Sequence, residues 1–388
     1  MITATRIALA ILLLGLFTFF GVNHSTDESK IAPYHHPVFY NSNNLGHEIA
    51  LSENQLRTNP DGPLLLTQLA SLYAKQGKQS ADYALLKKAN LLAIRSYAQL
   101  TFFNDGAKVV MADVAQAQHE FKKSIRLAKE IIHNPYTRTG SKIDALSLLV
   151  TSCLAIGDLD GAENYSTRLV QMRPAVGSHL QRALVLNAQE KKAGALIEFK
   201  TAYNLELFGN PEEAAYLRAL WGRSYQQQGQ SQEAQDLFRE ALRILPNYHL
   251  ALGLLAQSEL EQNHLSDAEI HYREAFTFSK QLVYLLGSAH VKEHQGKHEI
   301  ALQYQNEVEK IIRIEMTASN YGHRAELIQL LLDRNQLGDA SEAFKLARAE
   351  LALRPNSEIR KIYVEAERAA LASSRQLART MSPRLTSQ

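Results

Sequence analysis

Apolar residues and alanines recur at three- and four-residue spacing from Leu64 to about Ala378, with no long alternating stretch between them. That period turns one face of an α-helix toward a core, whereas period-two alternation would mark a half-buried strand. The breaks between apolar stretches are short and carry Gly, Asn, Asp or Pro, as helical hairpins require. The pattern predicts an all-α chain of antiparallel helix pairs. Ahead of it, residues 23 to about 60 are polar and turn-rich (Asn41-Ser-Asn-Asn44, Asn59-Pro-Asp-Gly62) and read as a linker with one short helix over His47–Arg57.

The breaks also recur at nearly constant distance. Phasing the alanines on Ala234 gives Ala162, Ala195, Ala268, Ala301 and Ala340, whose successive differences from 162 to 340 are 33, 39, 34, 33 and 39 residues. The two longer steps place about five extra residues near Gly209-Asn-Pro-Glu212 and Ser319-Asn-Tyr-Gly322. Around Ala234 stand Trp221, Gly222, Tyr225, Gly229, Phe238, Ala241 and Pro246. Small Gly222 and Ala234 suit a close helix crossing and Phe238 fills the space between units. Gly229 suits a tight turn, and Pro246 ends a helix.

These residues and offsets resemble the tetratricopeptide repeat, whose ideal period is about 34 residues. The resemblance covers about three quarters of the chain and is graded. Gly157 and Pro174 accompany Ala162, while Ala183, Phe199 and Ala202 accompany Ala195. Ala256, Tyr272 and Ala275 accompany Ala268, and Phe344 and Ala347 accompany Ala340. Leu66, Leu69-Ala70, Tyr73, Gly77 and Ala89 mark an earlier unit, and Ala117 and Phe121 hint at a degenerate one. Two departures stand out: Arg218 where the family often has Trp, and Gln305 where an aromatic is expected. The resemblance implies a right-handed α-solenoid, expected over residues 61–355. A capping helix and tail follow over 356–388, N-capped by Asn356-Ser357 with Glu358 in its first turn.

The first residues change the picture. Ile7 to Val22 form an unbroken run of apolar and small residues after Arg6, at the boundary between a signal-peptide core and a short transmembrane helix of ~17–25 residues. Phe19 spoils a small-x-small cleavage site, so residues 1–22 read as an uncleaved membrane anchor, with a cleaved signal sequence as the alternative. The positive-inside rule then places everything after Asn23 on the periplasmic, non-cytoplasmic side.

Lys plus Arg number 42 against 40 Asp plus Glu, a net charge of +2 that gives no footprint for nucleic acid. A single cysteine, Cys153, excludes an internal disulfide framework and a Cys-rich zinc site. His290, His294 and His298 step by four, yet Gly296 is expected to break the helix between the last two, and no acidic third ligand is in phase. No His-Glu-x-x-His, Gly-rich phosphate loop or Gly-x-Ser-x-Gly elbow is present. No cofactor, metal or catalytic residue is expected.

The resemblance carries its own expectation of a binding surface, since partners of such arrays lie along the concave face lined by first helices. Here those positions are Arg223, Gln226, Gln227, Gln257, Glu261, His290, Glu293 and His294, a mixed polar surface for a protein or peptide segment. The clamp by which some relatives hold a C-terminal carboxylate is missing, with Ala219, Gly253 and Leu286 where its lysine would help. The expected function is a non-catalytic, membrane-tethered interaction scaffold in a cell-envelope assembly. A regulator of envelope polysaccharide export or lipid assembly, and a metal- or substrate-binding enzyme, are the alternatives.

Overall fold

The structure, a computed structural model, describes residues 31–36, 45–207, 209–318 and 323–381. The anchor expected over 1–22 and the extra residues 319–322 lie outside them. The described residues form eighteen helices and no strand. Helix α1 (Leu45–Thr58), at the place of the short helix expected in the linker, leads into eight hairpins. The first four are α2 (Pro63–Gln79) with α3 (Tyr83–Gln99), α4 (Asp105–Ala117) with α5 (Phe121–His133), α6 (Thr139–Ile156) with α7 (Leu159–Met172), and α8 (Val176–Ala188) with α9 (Lys192–Asn204). The next four are α10 (Pro211–Gln227) with α11 (Ser231–Ile244), α12 (His249–Glu261) with α13 (Leu265–Ser279), α14 (Leu282–His294) with α15 (His298–Ala318), and α16 (Arg324–Arg334) with α17 (Asp339–Leu353). Helix α18 (Ser357–Met381) closes the array. The Asn356 side chain accepts a 2.9 Å hydrogen bond from the Ile359 amide at its start. The degenerate unit at Ala117 and Phe121 is a full hairpin, α4–α5.

Repeat phasing follows from packing. Ala162, Ala195, Ala234, Ala268, Ala301 and Ala340 all lie on second helices and are at most 4% exposed. A Cβ added to Gly222 would come within 2.6 Å of the Phe238 ring and 3.0 Å of the Ala234 carbonyl oxygen. Only glycine lets α10 and α11 cross that closely. Trp221 stacks on Phe199 of the preceding hairpin, with centroids 5.7 Å apart, and on Tyr225 at 6.2 Å. The core is accordingly a chain of adjoining clusters, α1–α4, α4–α8, α8–α14 and α14–α18, and not one central mass. Helix α6 is the one described helix long and apolar enough to cross a membrane. Its Ala145, Leu146, Leu149, Val150 and Cys153 are buried against neighbouring repeats, which makes it a repeat helix here.

The array curls until its last turns meet its first hairpins. His323, entering α16, lies edge-on to Tyr83 at 6.1 Å between centroids. Asn356 donates through Nδ2 to the Ala155 carbonyl at 2.8 Å. Gly157, with φ +75°, sits so close that an added Cβ would lie 2.9 Å from the Pro355 oxygen. Burial, together with Arg354, His323 and Arg324, holds the His119 imidazole well below its ordinary pKa, so it enters this seam neutral. The curl also encloses the inner wall: Leu250 through Leu260 of α12 are all buried, as expected of a helix apolar all round.

Candidate functional site

Two sets of side chains could hold a peptide. The first is the inner wall. Asn210 caps α10 by accepting from the Glu213 amide at 3.3 Å, and Pro211 follows as the first helical residue. The helix then presents Glu212, Tyr216, Arg223 and Gln226–Gln227 on one face, spaced at three, four and seven residues. Arg223 and Gln257 are buried. Arg223 has the Glu358 carboxylate, at the start of α18, as its main electrostatic partner. The chain's own C-terminal helix thus turns a carboxylate toward one of the predicted binding residues.

The remaining predicted residues lie toward the C-terminal ends of the first helices. Gln257 donates to Glu261 at 3.1 Å and Gln226 reaches the same carboxylate from the neighbouring hairpin at 3.3 Å. Burial raises the Glu261 pKa against those two donors. His290 Nε2 stands 3.2 Å from Asp333 of the next repeat, and Glu293 stands 2.5 Å from His298. Gln227, Glu261 and His294 are exposed. Structure therefore gathers Gln226, Gln257 and Glu261 into one hydrogen-bonded group, pairs His290 with Asp333 and Glu293 with His298, and does not bring His290, Glu293 and His294 together. Helix α14 stops at His294 and Gly296 has φ +73°, so the three-histidine series is broken as expected. Among the described residues no three His, Cys, Asp or Glu side chains converge as a metal site.

Deeper in the wall, His249 Nδ1 shares a 2.9 Å hydrogen bond with the Tyr284 hydroxyl. Burial pushes its pKa down to about 4. The folded protein keeps this ring neutral, while an unfolded chain protonates it below its ordinary value of about 6.5. Stability present above about 6.5 is therefore lost as pH falls toward 4. His249→Gln should remove about 2–4 kcal/mol of that loss, read as the difference between wild-type and variant urea midpoints at pH 7 and pH 4.5. Glu212, pushed up to about 6 by burial, acts in the opposite sense and cancels in that difference.

The second set was not foreseen. Residues 31–36, from the expected linker, bend at Ala32 (φ +50°) and lie against α9, α10 and α11. Arg218 projects there from α10, about 140° around the helix from Arg223. Its Nε donates to the Ala32 carbonyl at 2.7 Å, while its other nitrogens hold Glu206 at 2.5 and 3.1 Å and the Ala214 carbonyl at 2.9 Å. The Tyr203 hydroxyl donates to the Pro33 carbonyl at 3.0 Å. The Tyr34 amide donates to Glu240 at 2.5 Å, and the Tyr34 carbonyl accepts from Arg243 at 3.0 Å. The Arg218 guanidinium sits 5.5 Å from the ring centroids of both Tyr34 and Tyr203. Four main-chain groups in three consecutive residues are thus read by one clasp. Arg218 is fully buried, as is Glu240 at 1% exposure. The one sequence signal was Arg218 itself, a charge where the repeat favours an aromatic.

Residues 215–248 match the family model described as a tetratricopeptide repeat. No curated protein matches the chain at a significant level. Among solved structures, yeast Tom70 is similar at 16% identity, covering 89% of each chain with a TM-score of 0.46. A tetratricopeptide repeat protein from Parabacteroides merdae is similar at 13% identity over 62% of this chain and 92% of that one, TM-score 0.45. The pilF protein of Pseudomonas aeruginosa is similar at 18% identity over 58% of this chain and 99% of its own, TM-score 0.39. The matched repeat model and the stacked hairpins agree: this chain has the tetratricopeptide-repeat fold, the architecture of a non-catalytic protein-interaction scaffold.

Proposed function

We propose that the chain is a membrane-tethered scaffold of a cell-envelope assembly, its repeat region on the periplasmic side, which holds a partner segment along the polar ends of its first helices. The observation that carries this reading is the pair of hydrogen-bonded groups at Gln226–Gln257–Glu261 and His290–Asp333, each bridging successive hairpins and flanked by exposed Gln227, Glu261 and His294. Such side chains can exchange their internal bonds for a partner's main chain, which gives recognition without an apolar cleft. The apolar run Ile7–Val22 supplies the tether, and the proposed organisation keeps residues 61–355 as the array and 356–388 as cap and tail.

Replacing Gln227, Glu261, Glu293 and His294 together by alanine should weaken partner capture from native membranes by about 30-fold, the effect of losing ~2 kcal/mol at a binding hot spot. Replacing the exposed Arg239 and Glu274 should leave capture within about twofold. Quantitative cross-linking, with helicity checked by circular dichroism, reads both. Equal losses from the two sets would move the partner off this surface.

A further inference from the structure

We infer that the seam is a latch: the array stays closed on itself while His119 is neutral, and uptake of a proton by His119 parts the last turns from the first three hairpins. The inference needs neither the tether nor the partner surface proposed above.

Backbone geometry puts His119 in the seam. It fills the α4–α5 turn at φ +62°, a left-handed position that histidine tolerates better than most residues. Its ring stacks on Phe121, with centroids 5.6 Å apart. The charges that bear on the ring come from the far end of the chain and all are cationic: Arg354 between α17 and α18, with His323 and Arg324 at the entry to α16. Each of these cations already has a carboxylate on its own side of the seam. His323 Nδ1 shares a 2.7 Å hydrogen bond with Glu315 of α15. Arg324 donates to Glu350 of α17 at 3.1 Å, and Arg354 donates to the same carboxylate. Glu326 of α16 bears on His323 and on Tyr83. On the near side Glu120 lies 2.6 Å from the Lys123 ammonium, and burial keeps the Tyr83 hydroxyl of α3 protonated. An imidazolium at 119 would therefore enter a desolvated cluster of three cations, with Glu315 and Glu350 already engaged.

The sign follows from the two states. Closed, burial and these cations hold the imidazole well below its ordinary value; open, it returns to about 6.5. Closure is thus fully present above about 6.5 and is lost as pH falls toward the depressed value. Between pH 6.5 and 5 the closed-to-open ratio falls by up to about 30-fold, tenfold for each pH unit. Burial opposes the charge on His323, but the Glu315 hydrogen bond outweighs it and raises the pKa. That pair lies on one side of the seam and keeps its charges through opening. Glu358, whose carboxyl is pushed up by burial against the pull of Arg223, acts in the opposite sense, and a comparison at residue 119 subtracts it. Opening takes Glu358 away from Arg223 and so uncovers the inner wall there.

The test uses the full chain in detergent micelles, with nitroxide labels at Lys87→Cys on α3 and Lys361→Cys on α18, both exposed. Cys153 is buried, which pushes its thiol up to about 12, so it stays unlabelled. Pulsed electron resonance reads the separation of the labels at about pH 7.5 and pH 5, and circular dichroism follows the helices. Asparagine at 119 keeps the left-handed turn without a charge. A single short distance at pH 7.5, joined at pH 5 by a longer one that His119→Asn does not show, supports the latch. A wild type that stays closed at pH 5, a His119→Asn variant that opens with it, or opening that coincides with loss of helix overturns it.

Discussion

Arg218→Ala is expected to destabilise the protein by about 3–5 kcal/mol, the cost of leaving one partner of a buried ion pair without the other. Glu206 would keep a buried carboxylate stripped of its bidentate cation, and the Ala32 carbonyl would lose its donor. Urea unfolding measures the first effect, and hydrogen exchange at the Tyr34 amide measures release of residues 31–36. The double variant Arg218→Met with Glu206→Leu separates the two consequences. Replacing both members of a buried pair by apolar groups of similar volume is often neutral, so stability should largely return while the Tyr34 amide stays unprotected. Recovery of protection in the double variant would show that the remaining Tyr203, Glu240 and Arg243 contacts hold the segment without Arg218.

Closure of the superhelix should appear as a difference between two glycines. Gly157 and Gly229 both occupy turns at positive φ, +75° and +78°, but a Cβ at Gly229 meets nothing within 4 Å whereas one at Gly157 meets Pro355 and Asn356. Alanine at Gly229 should cost about 1–2 kcal/mol, the left-handed conformation alone. Alanine at Gly157 should cost that and about 1–3 kcal/mol more from overpacking the seam. Equal costs, measured by urea unfolding, would mean that the last turns yield freely and that the array does not depend on meeting its own beginning.

Much of the array was legible because one repeat unit obeys local rules. The close crossing at Gly222 and Ala234, the aromatic filler Phe238 and the turn at Gly229 are each dictated within about 34 residues. The phase they set carries to Ala162 and Ala340 through steric necessity. Turn chemistry was less transparent, since His119, Glu190 and Asn263 take the left-handed conformation that sequence reasoning gives to Gly157 and Gly229. Asn263 and His119 are residue types that tolerate it, whereas Glu190 adopts it against its preference. Of the clasp only Arg218 left a mark in the sequence, and the seam left none. Each joins segments some 200 residues apart, Tyr34 with Glu240 and Asn356 with Ala155, and no local period records such a meeting. Arg223 and Gln257 read as groove surface because their helical phase is right. Their burial follows from the curl of the whole array, which phase alone does not encode.

The clasp has a mechanical consequence. A solenoid pulled by its end peels one unit at a time, because each unit is held only by its neighbours. Here a pull applied ahead of Ile31 reaches Arg218, Tyr203, Glu240 and Arg243 before it reaches α1. The load enters at the middle of the array and bears on four main-chain hydrogen bonds together, and α1 to α8 hang slack beside the line of force. Tension on the N-terminus would thus be carried by the fourth and fifth hairpins, and the first three would stay folded until the clasp lets go.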